Sequence, residues 1–257
     1  MSRALPTYAQ TNVQLYNQLL RANWAEDDLR HVQSAYRLAL RLVAGYYHAS
    51  EKPFVSHLVG VASILAHHQA HATVVCAGML HSVYDHGDFG DGSSGTGESR
   101  RRAVRRAVGA ASEELVARYS SLQWNVATLE GMVAGAANLS TVDGAVAWIK
   151  LADLLETTSD SHGLPAPSRH DAAQLEVGAR LAAALGHVAL ATELAPQAAD
   201  VPPRSTRLPE FLQANHRGSF AVAPMSHAVR PGVRMARFFR GIRVALLTAP
   251  TVARWLT

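Results

Sequence analysis

Apolar residues recur along this chain at helical spacing, and that pattern constrains the fold more than any other feature. Between Asn12 and Leu42 they fall at Leu15, Leu19, Leu20, Val32, Ala35, Tyr36, Leu38 and Leu42, the repeat of an amphipathic helix. Alanine is abundant, and runs of β-branched and aromatic residues are scarce, so the segments between breakers favour helix. The spacing predicts two helices over 12–42, broken near Glu26-Asp27-Asp28, and a turn at Ala49–Pro53. Further helices are expected at 55–68, 72–83, 98–108, 112–119, 142–156 and 168–185, the last extended or followed by a short helix to Leu194. The expected class is all-α: a helical bundle with a C-terminal helical appendage. The domain plan is a helical domain over 1–195, a linker over 196–209 that holds four prolines, and a basic amphipathic segment over 210–257.

Several function classes fall away on composition. The single cysteine, Cys76, excludes an intrachain disulfide and a zinc–thiolate cluster, and its apolar neighbours suit a buried small hydrophobe. The N-terminus lacks a cationic stretch followed by an apolar core, and no run of about 18 uncharged apolar residues occurs. A cytoplasmic protein is the default expectation. Residues Asp85 to Gly97 are too glycine-rich for helix. Their acids do not follow the calcium-loop spacing, and their glycines do not end in Gly-Lys-Ser/Thr.

The net charge of +4 is unevenly placed. Arg100, Arg101, Arg102, Arg105 and Arg106 form one basic cluster; Arg230, Arg234, Arg237, Arg240 and Arg243 form another. Either suits phosphates, acidic lipids or an acidic partner, or a solvated helix face. The second set alternates with Val233, Met235, Phe238, Phe239, Ile242 and Leu246, a pattern for peripheral membrane or protein contact or for packing on the main domain. No motif for specific nucleic-acid binding is present.

Of the thirteen histidines, two stand apart. The run His67, His68, His71 straddles a helix junction and reads as surface histidines. His57 and His81 each lie inside an apolar helical stretch, Phe54-Val55-Ser56-His57-Leu58-Val59 and Gly78-Met79-Leu80-His81-Ser82-Val83. A third apolar helix offers Asp153 within Ile149-Lys150-Leu151-Ala152-Asp153-Leu154-Leu155. A carboxylate buried this way is costly unless paired or metal-bound. Imidazole nitrogens with a carboxylate oxygen suit zinc, manganese or iron.

The stretch from Ser50 to Ala66 resembles the first metal-ligand helix of HD-domain (p)ppGpp hydrolases. Cys76-Ala77-Gly78-Met79-Leu80-His81-Ser82-Val83 resembles their Ala-Ala-Leu-Leu-His-Asp-Val, and Lys150-Leu151-Ala152-Asp153-Leu154-Leu155 their Lys-Leu-Ala-Asp-Arg-Leu. The resemblance covers roughly 30–185. It implies an HD-like helical fold and a divalent metal ion, Mn, Fe or Zn, on His57, His81 and Asp153. The departures matter. The His-Asp dyad is His81-Ser82 here, the Glu-Asp pair that positions water is Asp85-His86, and the guanine-contacting arginine is His48. Hydrolysis of (p)ppGpp itself is therefore not expected. The run His81-Ser82-Val83-Tyr84 also resembles an HD-related family of unknown function that keeps His-Ser.

Asp85, four residues after His81, is expected to share its helical face. Asp85 and His86 are the candidate catalytic pair; Ser82, His48, Lys150 and Arg101 are candidate substrate contacts. Three functions fit: a metal-dependent hydrolase of a small phosphorylated or nucleotide-like metabolite, a non-catalytic HD-like binding or regulatory module, and a non-haem iron oxygenase on the same ligands.

Overall fold

The computed structural model describes residues 8–48, 51–90, 94–159, 169–199 and 219–222. The class is all-α, as expected. The elements run α1 (Asn12–Arg21), α2 (Glu26–Leu42), β1 (Tyr46–Tyr47), α3 (Phe54–His67), α4 (Ala72–Leu80), α5 (Val83–His86), α6 (Glu98–Ser121), α7 (Val126–Ala134), α8 (Thr141–Ser159), α9 (Arg169–Ala184), α10 (Val188–Ala199) and β2 (Phe220–Ala221). A pair of two-residue strands is the only sheet among the described residues. The chain divides into two compact units, 1–220 and 221–257. Only 221–222 of the second unit are described, and of the expected basic amphipathic segment over 210–257 all but 219–222 lies outside the described residues.

α3 forms the centre of the first unit. From His57 to Ala66 every residue is buried, which marks a helix covered on all sides. α1, α2, α4 and α8 pack around it. α4 is almost as apolar and approaches α3 closely at Gly78, where a Cβ would meet the Leu65 side chain at 2.3 Å. The one buried hydroxyl on this helix, Ser63, is fully satisfied. It donates to Gln18 Oε1 at 2.5 Å and accepts from the Ala9 amide at 2.8 Å, which ties the N-terminal segment and α1 to the core.

The structure corrects several boundaries. Glu26, Asp27 and Asp28 form the first turn of α2 and not the break, which lies at Ala22–Ala25. Three acids at a helix N-terminus meet the positive end of its dipole, so the charge run marks a start. α6 spans both helices expected over 98–119 but kinks at Gly109 (φ 75°, ψ 168°), a left-handed backbone that suits glycine. His31 Nε2 lies 2.9 Å from the Val108 carbonyl beside the kink. α7 was not expected at all. α10 continues through residue 196 to Ala199, so the proposed linker starts later than Pro196; its remainder is outside the described residues. No helix among the described residues is long and apolar enough to cross a membrane.

Candidate metal centre

α3, α4 and α8 bring His57, His81 and Asp153 together. One ligand atom from each lies within 4.8 Å of the others, the one such group of His, Cys, Asp and Glu among the described residues. His57 sits in the first turn of α3, His81 caps the C-terminal end of α4, and Asp153 lies inside α8. His57 Nε2 is 3.3 Å and His81 Nε2 3.7 Å from Asp153 Oδ1. Both histidines are at most 2% exposed.

The other ring nitrogens orient these three. His57 Nδ1 is 2.5 Å from Glu156 Oε2, and His81 Nδ1 is 2.8 Å from the Gly78 carbonyl. In each case Nδ1–H donates, which turns Nε2 toward Asp153 Oδ1. Such a partner on the far nitrogen fixes the tautomer a metal ligand requires. The other carboxylate oxygen, Asp153 Oδ2, accepts from Lys150 Nζ at 2.7 Å and from the Tyr119 hydroxyl at 3.0 Å. Oδ1 is left facing the two imidazoles.

The charges are strongly coupled. Burial works against a proton on His57, yet Glu156 and then Asp153 outweigh it and raise the pKa from 6.5 to about 9. His81 lacks the second carboxylate, and burial lowers it to about 4. Burial pushes Asp153 upward, but Lys150 and the two histidines hold it well below 3.8. With no metal bound, His57 is thus the charged partner of Asp153 and Glu156, and His81 is neutral. Two nitrogens and one carboxylate oxygen converging on one point fit a divalent cation, which would take the place of the His57 Nε2 proton.

Glu156 is the residue the sequence reading missed. Its carboxylate is 1% exposed, paired with His57 and Lys52, and reached by Gln10 Nε2 at 3.4 Å. It lies three residues after Asp153 on α8, so one helical face carries the ligand and the group that orients its neighbour. That spacing was the available signal. Gly60 makes room for it: a Cβ there would stand 2.5 Å from Glu156 Oε1. Tyr119 was likewise missed. Its ring lies 5.0 Å from His81 and 5.0 Å from Trp124.

The remaining sequence candidates scatter. His48 stacks on His57 (4.9 Å, 12° between planes), and His86 packs on Phe54 at 5.1 Å. Lys150 is at the centre, bound to Asp153. Ser82 is half-buried beside His81 and contributes no carboxylate. Asp85 does not join the ligands. α4 ends at Leu80 and α5 begins at Val83, so the helical face assumed for His81 and Asp85 is interrupted. Asp85 is exposed, its Oδ1 accepting from Ser120 Oγ at 3.0 Å. Arg101 is also engaged elsewhere, on Glu113 at 2.7 and 3.0 Å. His67 and His71 are exposed as expected, but His68 is not. Its side chain is 7% exposed, 3.5 Å from Glu193.

Residues 38–123 match the model of a domain of unknown function, DUF6817. The DUF6817 match takes in α3, α4 and α5, and so His57, His81 and Ser82, but stops short of α8 and Asp153. A search of curated proteins finds no match.

Proposed function

We propose that this chain is a divergent HD-superfamily protein that binds one divalent metal ion on His57, His81 and Asp153 and hydrolyses a small phosphorylated or nucleotide-like metabolite. The observation that carries the proposal is the orientation of the three groups: both Nε2 atoms meet Asp153 Oδ1, each imidazole held from behind by Glu156 or the Gly78 carbonyl. A metal bound there supplies Lewis acidity toward a phosphoryl oxygen and lowers the pKa of a bound water. The chain's own residues do the rest. Glu156 keeps His57 in its ligating tautomer, and Lys52 neutralises Glu156. Lys150 and Tyr119 hold Asp153 through Oδ2. His48, stacked on His57, and His86, against Phe54, border the ligands as candidates for proton transfer or substrate contact. Asp85, bound to Ser120, and Arg101, bound to Glu113, have no part in this reading as catalytic group or substrate contact, since each is engaged elsewhere.

A second reading has an observation of its own. Two histidines and one carboxylate, with no fourth carboxylate or histidine grouped with them among the described residues, also suit ferrous iron in an oxygenase. The Ser82 position and the Lys150 ion pair favour a third, a binding module without turnover. One experiment separates them. Purified protein is loaded with Mn, Fe or Zn and offered nucleotides and sugar phosphates, with His57→Ala as control. Metal-dependent phosphate release that the variant lacks supports hydrolysis. Iron-dependent oxygen uptake supports the oxygenase. Metal-free protein with no metal-dependent turnover defeats both enzymatic readings.

A further inference from the structure

The basic cluster on α6 looks uniform in sequence but is not so in the fold. Arg101 and Arg105 both bind Glu113, and Arg105 and Arg102 also reach Glu98. Arg100 is buried, donates to the Gly95 carbonyl at 2.8 Å and lies over the Phe89 ring. Arg106 has no hydrogen-bond or ion-pair partner among the described residues. Across from it, in the last turn of α2, Arg41 has none either. The two line the same cleft, of about 530 Å³, together with the apolar Leu38, Leu42, Phe89, Ala103 and Ala107.

Two guanidinium groups without a partner at one apolar cleft make it attractive to an anion. The third charged group on the cleft, Asp88, already accepts from the Gly90 amide at 2.8 Å and leaves a net charge of plus one. The volume is that of a small-molecule pocket, for which about 300–1,000 Å³ is usual. Planar guanidinium forks match phosphate oxygens in pairs. A phosphate monoester is close to a dianion at neutral pH, so each arginine can meet it with a charge-assisted hydrogen bond. None of the lining residues belongs to the metal centre.

We infer that the cleft between α2 and α6 is a second binding site, for a small organic phosphate whose phosphate lies between Arg41 and Arg106 and whose flat apolar body rests on Leu38, Leu42 and Phe89. The site works without the metal, so its failure and failure of the metal centre are separately visible.

Phenyl phosphate is the probe, titrated calorimetrically into the full-length protein at low salt with chelator present. Saturable binding to one site per chain is expected, weakened by added salt. Arg41→Ala and Arg106→Ala should each weaken it about tenfold or more, the usual loss for one charge-assisted hydrogen bond. Arg102→Ala, on the same helix but paired with Glu98, should leave it unchanged. Inorganic phosphate and benzoate should both bind more weakly, the first for want of the apolar contact and the second for want of the second charge. No saturable binding in chelator overturns the inference. So does equal binding by the Arg41 and Arg106 variants, an equal loss in Arg102→Ala, or inorganic phosphate binding as tightly as phenyl phosphate.

Discussion

Replacing Gly60 by alanine sets two effects of opposite sign against each other. Inside a helix, alanine is favoured over glycine by about 1 kcal/mol. Packing opposes it at this position. The added methyl would stand 2.5 Å from Oε1, 2.6 Å from Cγ and 2.9 Å from Cδ of Glu156. That side chain cannot simply swing away, because it is buried and tied to His57 and Lys52. Overpacking a core costs about 1–3 kcal/mol, and stripping one partner from a buried ion pair about 3–5 kcal/mol. Gly60→Ala exacts a share of both, so we expect a net loss of about 2–4 kcal/mol after the propensity gain. Urea denaturation should show a lower midpoint at unchanged slope. Because His57 loses its orienting partner, divalent metal affinity should fall about tenfold to a hundredfold. In a Glu156→Ala background the clash is gone, and the same substitution should be neutral or stabilise by about 1 kcal/mol. A Gly60→Ala protein as stable as the parent, or equally costly in both backgrounds, refutes the packing of Glu156 against α3.

Other outcomes follow from the same structure. Ser82→Asp places a carboxylate beside His81 and should tighten Mn binding about tenfold or more in calorimetry; unchanged affinity means position 82 does not face the candidate ligands. Gly109→Ala meets open space at φ 75°, ψ 168°, a region held almost only by glycine, so backbone strain alone should cost about 1–3 kcal/mol in urea. Burial would raise Glu113, but bonds from Arg101, Tyr84 and Arg105 hold its carboxyl below 4.5. A depressed carboxyl stabilises above its unfolded pKa and loses that contribution as pH falls through the folded one. The melting temperature of the parent should therefore drop more steeply below pH 4.5 than that of Glu113→Gln, which starts lower at neutral pH; parallel curves would remove Glu113 as the cause.

The sequence made the helices legible wherever a long apolar stripe met clear breakers, as in α2, α3 and α8. α7 escaped because it buries only Leu129 and Met132 and contains a glycine; its one local mark is Asn125, whose side chain caps the Thr128 amide at 2.9 Å. The break at His81–Ser82 was invisible for the opposite reason. Cys76 to Tyr84 is a nearly continuous apolar run without glycine or proline after Gly78, so no local breaker marks the end of α4 at Leu80. Histidines inside apolar helices and an aspartate among leucines announced the cluster of His57, His81 and Asp153, since such groups need a reason to be buried. Glu156 gave no such warning, because an acid near the end of a helix ordinarily faces water. The arginine cluster was legible as charge, but which guanidinium lacks a partner depends on Glu98 and Glu113, and only the fold brings those into reach.

The most direct test of the metal centre is elemental analysis of the purified full-length chain beside His57→Ala and Asp153→Ala, before and after incubation with Mn, Fe and Zn. The structure predicts close to one divalent ion per chain in the parent and essentially none in either variant. A parent protein that neither carries nor takes up a divalent ion, or variants that retain it in full, would contradict the central claim.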